Sequence, residues 1–529
     1  VGAFAGGTAS GSNNVLVGYA AGFGSQGVGP DFTGNHNTYI GYRAGEYSTT
    51  AEDSVAIGNQ ALRQQLRATE AVAIGKKAMS TSTSDLHYGS IAIGAYAMEK
   101  SIGNTDYTIA IGYKALQGQH NSEPLGVFIG GFAGAAASAS YNSVMIGYKS
   151  GQYGGVSNAA EGQTFVGFHS GQYATGSGNT FLGKSAGQGN SSTFSSGHNN
   201  TAVGYNALTA FTSGRYNVAM GYNAGDAITT GQQNTCIGYV AGSNLTTKSY
   251  NTLVGSGAGQ SLSGGDGNNN IFGYGAGAQQ TNGYAVTAIG SLAWYGTGGT
   301  NNSNYGVYVG NSAGQDVTTG DYNVMIGHKA GKDSNPDNCI FIGNYASASV
   351  ETTSHEIIIG SGADAFNGFH GGGTETIRIG RASDFITNDF GENATWTHSS
   401  DRRIKKDIKD TNLGLEFILK LQPKEFKKKA PSEYPPEFEQ YDANITERKN
   451  PDRIHYGFVA QEVKEAMDKV GHSEFPVWKE NRDGMQELGE AELITPLVKA
   501  VQELSSENKE LKDELNELKI FIKKKLGDE

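Results

Sequence analysis

The residues best suited to chemistry lie in one short charged run, Ser400-Asp401-Arg402-Arg403-Ile404-Lys405-Lys406-Asp407-Ile408. A serine hydroxyl is a weak nucleophile and needs a base to take its proton. A lysine amine serves as that base once burial or cationic neighbours drive its own proton off. Arg402, Arg403 and Lys406 supply positive charge on either side of Lys405. A second run, His455-Tyr456-Gly457-Phe458-Val459-Ala460-Gln461-Glu462-Val463, adds an imidazole. Taken singly, a serine beside a charge run reads as solvated linker and a lone histidine as structural, so the pattern around them has to decide.

Other chemistries find little support. The acids of the first 399 residues are few, and Asp266 and Asp337 are isolated, without the carboxylate pairs of a glycosidase. Gly264-Gly265-Asp266-Gly267 precedes no helical pattern and so is no evidence for a phosphate loop, and it occurs once, not as a calcium-binding repeat array. Cys236 and Cys339 are read as small buried side chains. No metal site and no cofactor is expected. A net charge of −12 argues against a nucleic-acid partner. No apolar stretch reaches the ~18 residues of a membrane span, so no membrane insertion is expected.

The elements that must position these residues are of two kinds. Residues 400–529 carry 24 Lys+Arg and 28 Asp+Glu, whereas the preceding 399 carry 15 and 23; glycine runs the other way, 72 before residue 400 and 6 after it. In the glycine-rich part an apolar residue followed by Gly recurs 21 times, from Gly18 to Gly380, at gaps of 16 to 23. Three positions before each Gly stands a β-branched residue in 20 copies, Asn270 being the exception; three after it stands Ala or Ser, four after it often Gly, and Asn often precedes the strand. Each copy predicts a short strand closed by a glycine turn, one coil of a parallel solenoid. About 22 coils stacked ~4.8 Å apart make a rod on the order of 100 Å long. Both strand faces are apolar, and a lone thin roll buries only one, so the stripe predicts an interface between chains; a thicker single-chain solenoid is the alternative. Exposed Tyr and Trp294 are candidates for glycan contact or for packing at that interface.

The chain opens inside a repeat, at Val1-Gly2-Ala3-Phe4, and is expected to be a piece of a longer protein. It ends in heptads: Ile494, Leu497, Val501, Leu504, Asn508, Leu511, Leu515, Leu518 and Ile522 alternate by 3 and 4, a coiled coil whose register Asn508 would fix. The expected domains are a β-roll at 1–384, a connector at 385–399, a small α+β domain at 400–493 and the coiled coil at 494–526.

Asp53-Ser54-Val55-Ala56-Ile57-Gly58-Asn59-Gln60-Ala61 and Asn142-Ser143-Val144-Met145-Ile146-Gly147 resemble the repeat of trimeric adhesin heads, YadA-like left-handed parallel β-rolls, though the repeats here are longer. That resemblance implies a homotrimer. The Ser400 run, the His455 run and the terminal heptads, in this order, resemble the peptidase S74 intramolecular chaperone of phage tailspikes, endosialidases and neck appendages.

The second resemblance implies that residues 400–529 trimerise, template the folding of the roll and cut the chain between Ser399 and Ser400. Ser400 is then the nucleophile, Lys405 the base of a Ser–Lys dyad, His455 a residue of assembly or cleavage, and Asp401 the residue that orders the loop. The function so implied is a structural, adhesive trimeric fibre of a phage or phage-like particle. It would be made in the host cytoplasm and carried on the virion. It would bind a host cell-surface receptor, a glycan or outer-surface protein, and would join other tail or baseplate proteins through a missing N-terminal part. A bacterial trimeric adhesin and a polysaccharide-degrading tailspike are the alternatives. No enzyme acting on an external substrate is expected, only single-turnover autoproteolysis.

Overall fold

The computed structural model describes the chain except residues 8, 25–30, 66, 82–86, 101–104, 119–124, 138–139, 155–159, 297–301, 351, 363–367, 382–383, 390–392, 398–399, 439, 449–450 and 528–529. It divides into two compact units, Val1–His398 and Ser399–Glu529.

The first unit is a parallel β-solenoid. Among the described residues its main sheet has 23 strands, of which the last two run antiparallel, leaving 21 parallel strands, one at each repeat glycine. Pairing is in strict register: Val15, Leu16 and Val17 face Thr38, Tyr39 and Ile40, which in turn face Val55, Ala56 and Ile57. Variable loop lengths therefore do not disturb the column. All 21 repeat glycines have φ between +127° and +159°. A Cβ on Gly41 would stand 2.4 Å from the carbonyl oxygen of Gly58. Glycine is required there both by the backbone angle and by the approach of the next coil.

In all of the parallel strands but the first and the last, the middle residue faces inward and is buried. Tyr39, Ala56, Phe128, Met145, Phe165, Leu253 and Ile358 are fully buried, and the Phe165 and Phe181 rings stack at 5.0 Å. The alanine three residues past the glycine is buried beside it, as at Ala61, Ala115 and Ala241. The size of the middle residue is matched by the position four past the glycine. Ala56, Ala73, Ala110 and Ala202 are accompanied by buried Leu62, Met79, Leu116 and Leu208. Tyr39, Phe128, Phe165 and Tyr308 are accompanied by Gly45, Gly134, Gly171 and Gly314, where a Cβ would lie 2.1–2.6 Å from the ring. The coils of Gly221, Gly238 and Gly255 fill the same space with Ile228, Leu245 and Leu262. Close packing at constant coil cross-section explains this trade of volume between two positions of one coil.

The asparagines before the strands form a buried ladder. The backbone N–H and Nδ2 of Asn217 both donate to Asn200 Oδ1, at 2.9 and 3.1 Å, and Nδ2 also donates to the Gly231 carbonyl at 2.9 Å. Asn234, Asn251 and Asn269 repeat the arrangement, each on the asparagine before it. Each amide thus satisfies its own groups and the backbone of the next coil, which a buried polar column requires.

The outward strand residues are only partly covered. Val15, Ile40, Leu182, Met220, Phe272, Ile289 and Ile359 are each more than a third exposed on the single chain. Beside them runs a ring column, with Tyr205, Tyr222 and Tyr239 stacked at 5.3 and 5.4 Å. Trp294 does not belong to this surface: it is fully buried, stacked on Tyr308, filling the space beside Ala288. It is unavailable to a glycan.

The segment read as a connector is built differently. Thr376–Arg381 pairs antiparallel with Asp384–Asp389, which pairs with Asn393–Thr397. These strands alternate without a glycine turn, so they gave no repeat signal, yet they extend the sheet beyond residue 384.

The second unit is small. Leu413, Phe417, Val463, Ala466, Met467 and Val477 form its core, beneath two-stranded sheets at Lys424–Phe426 with His455–Gly457 and at Trp478–Glu480 with Gln486–Leu488. The helix Ala460–Lys469 supplies three of the core residues. The 33-residue helix Ile494–Leu526 buries only Pro496 and Ala500. Its seam residues Ile494, Leu497, Val501, Leu504, Leu511, Leu515, Leu518 and Ile522 are 44–64% exposed, so the stripe expected from the heptads is present and uncovered on one chain.

Candidate functional site

Asp401 organises the Ser400 run. Its Oδ1 accepts the backbone N–H of Arg403 at 2.8 Å, capping a one-turn 3-10 helix, Arg402–Ile404. The Arg403 guanidinium returns to the same carboxylate, Nη2 donating to Oδ2 at 2.7 Å and Nε to Oδ1 at 3.1 Å. These bonds from Arg403 hold the Asp401 carboxyl below the usual carboxylate range. The turn reverses the chain, and the Lys405 backbone N–H closes it on the Arg402 carbonyl at 3.2 Å. Lys405 Nζ then donates to Ser400 Oγ at 2.7 Å.

The two residues expected as nucleophile and base, five apart, are therefore in direct contact, and the residue expected to order the loop is the one that caps the turn between them. Ser399, on the other side of the expected scissile bond, lies outside the described residues. Residues 400–412 are exposed throughout; Ile404 and Ile408 are 66% and 59% exposed.

His455 stands elsewhere. Its strand lies antiparallel to Lys424–Phe426, opposite Phe426, and the two rings stack at 5.8 Å. Desolvation first, then the charges of Arg453, Lys428 and Arg448, lower its pKa and favour the neutral imidazole at pH 7. Among the described residues, no hydrogen bond joins it to Ser400, Lys405 or Asp401. The rest of its run is architectural: Phe458 packs on the core, Val463 is buried, and Glu462 pairs with Lys424 at 3.4 Å.

Elsewhere chemistry is sparse. Among the described residues no group of three or more His, Cys, Asp or Glu is placed to hold a metal, and no helix is long and apolar enough to cross a membrane. Burial raises the thiol pKa of Cys236 to about 12 and of Cys339 to about 11, which leaves both as unreactive packing groups at neutral pH. Sequence reasoning passed over a concavity on the roll flanked by Tyr239, Tyr274 and Tyr295. Its signal was two consecutive coils with glycine, Gly257 and Gly275, two places past the repeat glycine.

Residues 400–472 match Peptidase_S74, the chaperone of endosialidase. No curated protein and no solved structure matches the chain. The S74-type match begins at Ser400, covers the 3-10 turn, Lys405, His455 and the Ala460–Lys469 helix, and stops before the hairpin and the long helix. Together, the solenoid and the S74-type chaperone domain fit a tail fibre or tailspike, and support a folding and trimerisation role for the C-terminal unit of an endosialidase-like fibre.

Proposed function

We propose that the chain is one protomer of a homotrimeric fibre of a phage or phage-like particle. It attaches to a host surface, and its S74-type domain assembles the trimer and then cuts it free between Ser399 and Ser400. The contact between Lys405 Nζ and Ser400 Oγ carries the cleavage reading. As an ammonium, Lys405 only donates to the hydroxyl; once deprotonated it accepts the hydroxyl proton. Ser400 Oγ then attacks the carbonyl carbon of Ser399. The peptide C–N bond breaks, the proton passes to the freed Ser400 amine, and an ester joins the two residues. Water hydrolyses the ester, giving a Ser399 carboxylate and restoring the Ser400 hydroxyl.

Lys405 is solvent-exposed on one chain, and a neighbouring protomer that covers Ile404 and Ile408 would supply the dry surroundings its deprotonation needs. Trimerisation is supported by two uncovered apolar stripes, on the roll and on the long helix. A coiled coil at one end sets the register of three chains whose parallel strands would otherwise pair slowly and out of step.

Gel electrophoresis of the expressed chain beside Ser400→Ala tests the reaction. The wild type should lose 130 of its 529 residues and the variant none. A full-length band in both would refute cleavage.

A further inference from the structure

Along most of the roll, the two positions after the repeat glycine carry side chains that cover the coil edge. The second position is left-handed in every coil from Gly18 to Gly343 and holds Asn223, Val240, Leu292 and Ser312 in the coils around the concavity. Among these coils it is bare at the consecutive Gly257 and Gly275, and the one other glycine at this offset, Gly362, lies in the coil of Gly360. The missing side chains open a groove of about 470 Å³. It runs from Tyr239 to Gln315 across five coils, ~19 Å at the strand spacing. A Cβ at Gly257 would meet nothing nearer than Gln260 Oε1 at 3.8 Å, so the space is open at its floor.

We infer that this groove binds a neutral oligosaccharide. Its walls are the rings of Tyr239, Tyr274 and Tyr295, the first two more than half exposed, and its polar groups are the amides of Gln260, Gln279 and Gln315. Aromatic faces suit the C–H faces of pyranose rings, and side-chain amides offer both donors and acceptors to hydroxyls. No Lys, Arg, Asp or Glu lines it, so a charged ligand would find no partner. A second copy of the chain is a poorer occupant: an interface between rolls must recur in every coil, and this groove is built on two consecutive coils. The inference deepens the host-attachment reading by naming the ligand class and its site, but binding in the groove stands or falls by itself.

The test uses the purified full-length chain, wild type and Gly257→Tyr. Tyrosine is accommodated at this position in other coils, at Tyr96 and Tyr345, with φ of 62° and 52°, so the variant should fold. Asn223→Tyr, two coils away, is the control. Neutral oligosaccharides of glucose, galactose, mannose and N-acetylglucosamine are titrated by tyrosine fluorescence and ligand-observed NMR. At least one should bind the wild type and the control, and bind Gly257→Tyr at least tenfold more weakly. No binding by any of them, binding that survives Gly257→Tyr, or Tyr274 shielded from nitration without saccharide would overturn the assignment. Host-cell adsorption is measured separately: adsorption unchanged in a variant that has lost saccharide binding would leave the groove standing and sink its role in attachment.

Discussion

The trade of volume between the strand centre and the position four past the glycine can be tested by moving it from one coil to another. Phe165 is fully buried against Phe181, and truncation to alanine should cost about 3–5 kcal/mol through lost burial and a residual cavity. Gly171→Leu places a Cβ 2.6 Å from the Phe165 ring, and overpacking should cost about 1–3 kcal/mol, with about 1–2 kcal/mol more for the left-handed backbone at φ +57°. The double variant Phe165→Ala/Gly171→Leu rebuilds the pairing of Ala110 with Leu116, where leucine holds φ of 49° and both residues are fully buried. Only the backbone term should then remain, so the two changes should couple by about 3 kcal/mol or more in the stabilising direction. Native-state hydrogen exchange of the full chain reads this locally. Amides of Thr164–Val166 and Thr180–Leu182 should lose about a hundredfold protection or more in the Phe165→Ala single variant and regain most of it in the double. Additive losses would refute size matching as the rule of the core.

Three further outcomes follow from the same structure. Asn234→Ala removes a side chain that bonds Asn217 Oδ1, the Lys248 carbonyl and both donors of Asn251; about 1–3 kcal/mol per orphaned group should be lost, read as a lower melting temperature, and an unchanged one would show that the ladder is dispensable. Asp316 has its pKa raised from 3.8 to about 6, by desolvation first and by Asp333 second. Its folded state binds the proton more tightly than the unfolded chain, so the contribution is stabilising at low pH and is lost as pH rises through about 6. Asp316→Asn should therefore raise the melting temperature at pH 8 and leave it nearly unchanged at pH 4; the reverse order would exclude burial of this carboxyl. Leu511→Asp puts a charge on the seam of the long helix and should abolish both assembly and cleavage, seen on one gel and one sizing column; cleavage by a monomer would show that the Ser400 site is complete within one chain.

Periodicity made the roll legible because every coil repeats the same constraints. Strand centres, glycine turns and buried alanines recur at fixed offsets, and loops of any length leave the register intact. The size trade between Ala110 and Leu116, or Phe165 and Gly171, was written in the sequence too, but only as a correlation between two positions that were read one at a time. Trp294 was misplaced for this reason: its partner Ala288 marks it as core. The strands from Asp384 to Thr397 were missed because antiparallel pairing has no use for the glycine turn. At the candidate site the spacing of Ser400 and Lys405 was legible, since a single turn returns the chain after five residues. The role of Asp401 as the cap of that turn was visible as an expectation of ordered loop. The placement of His455 on a separate strand against Phe426 was not, because it depends on how Lys424–Phe426 pairs across the 28 positions between Phe426 and His455.

Sedimentation equilibrium of the Ser400→Ala chain, which keeps both uncovered stripes on one polypeptide, measures assembly directly. Three matched columns of coils held from the C-terminal end predict a particle of three times 55.5 kDa, with no dissociation on dilution through the micromolar range. A mass of one chain, with the Val15–Ile359 stripe and the helix seam both open to water, would contradict it.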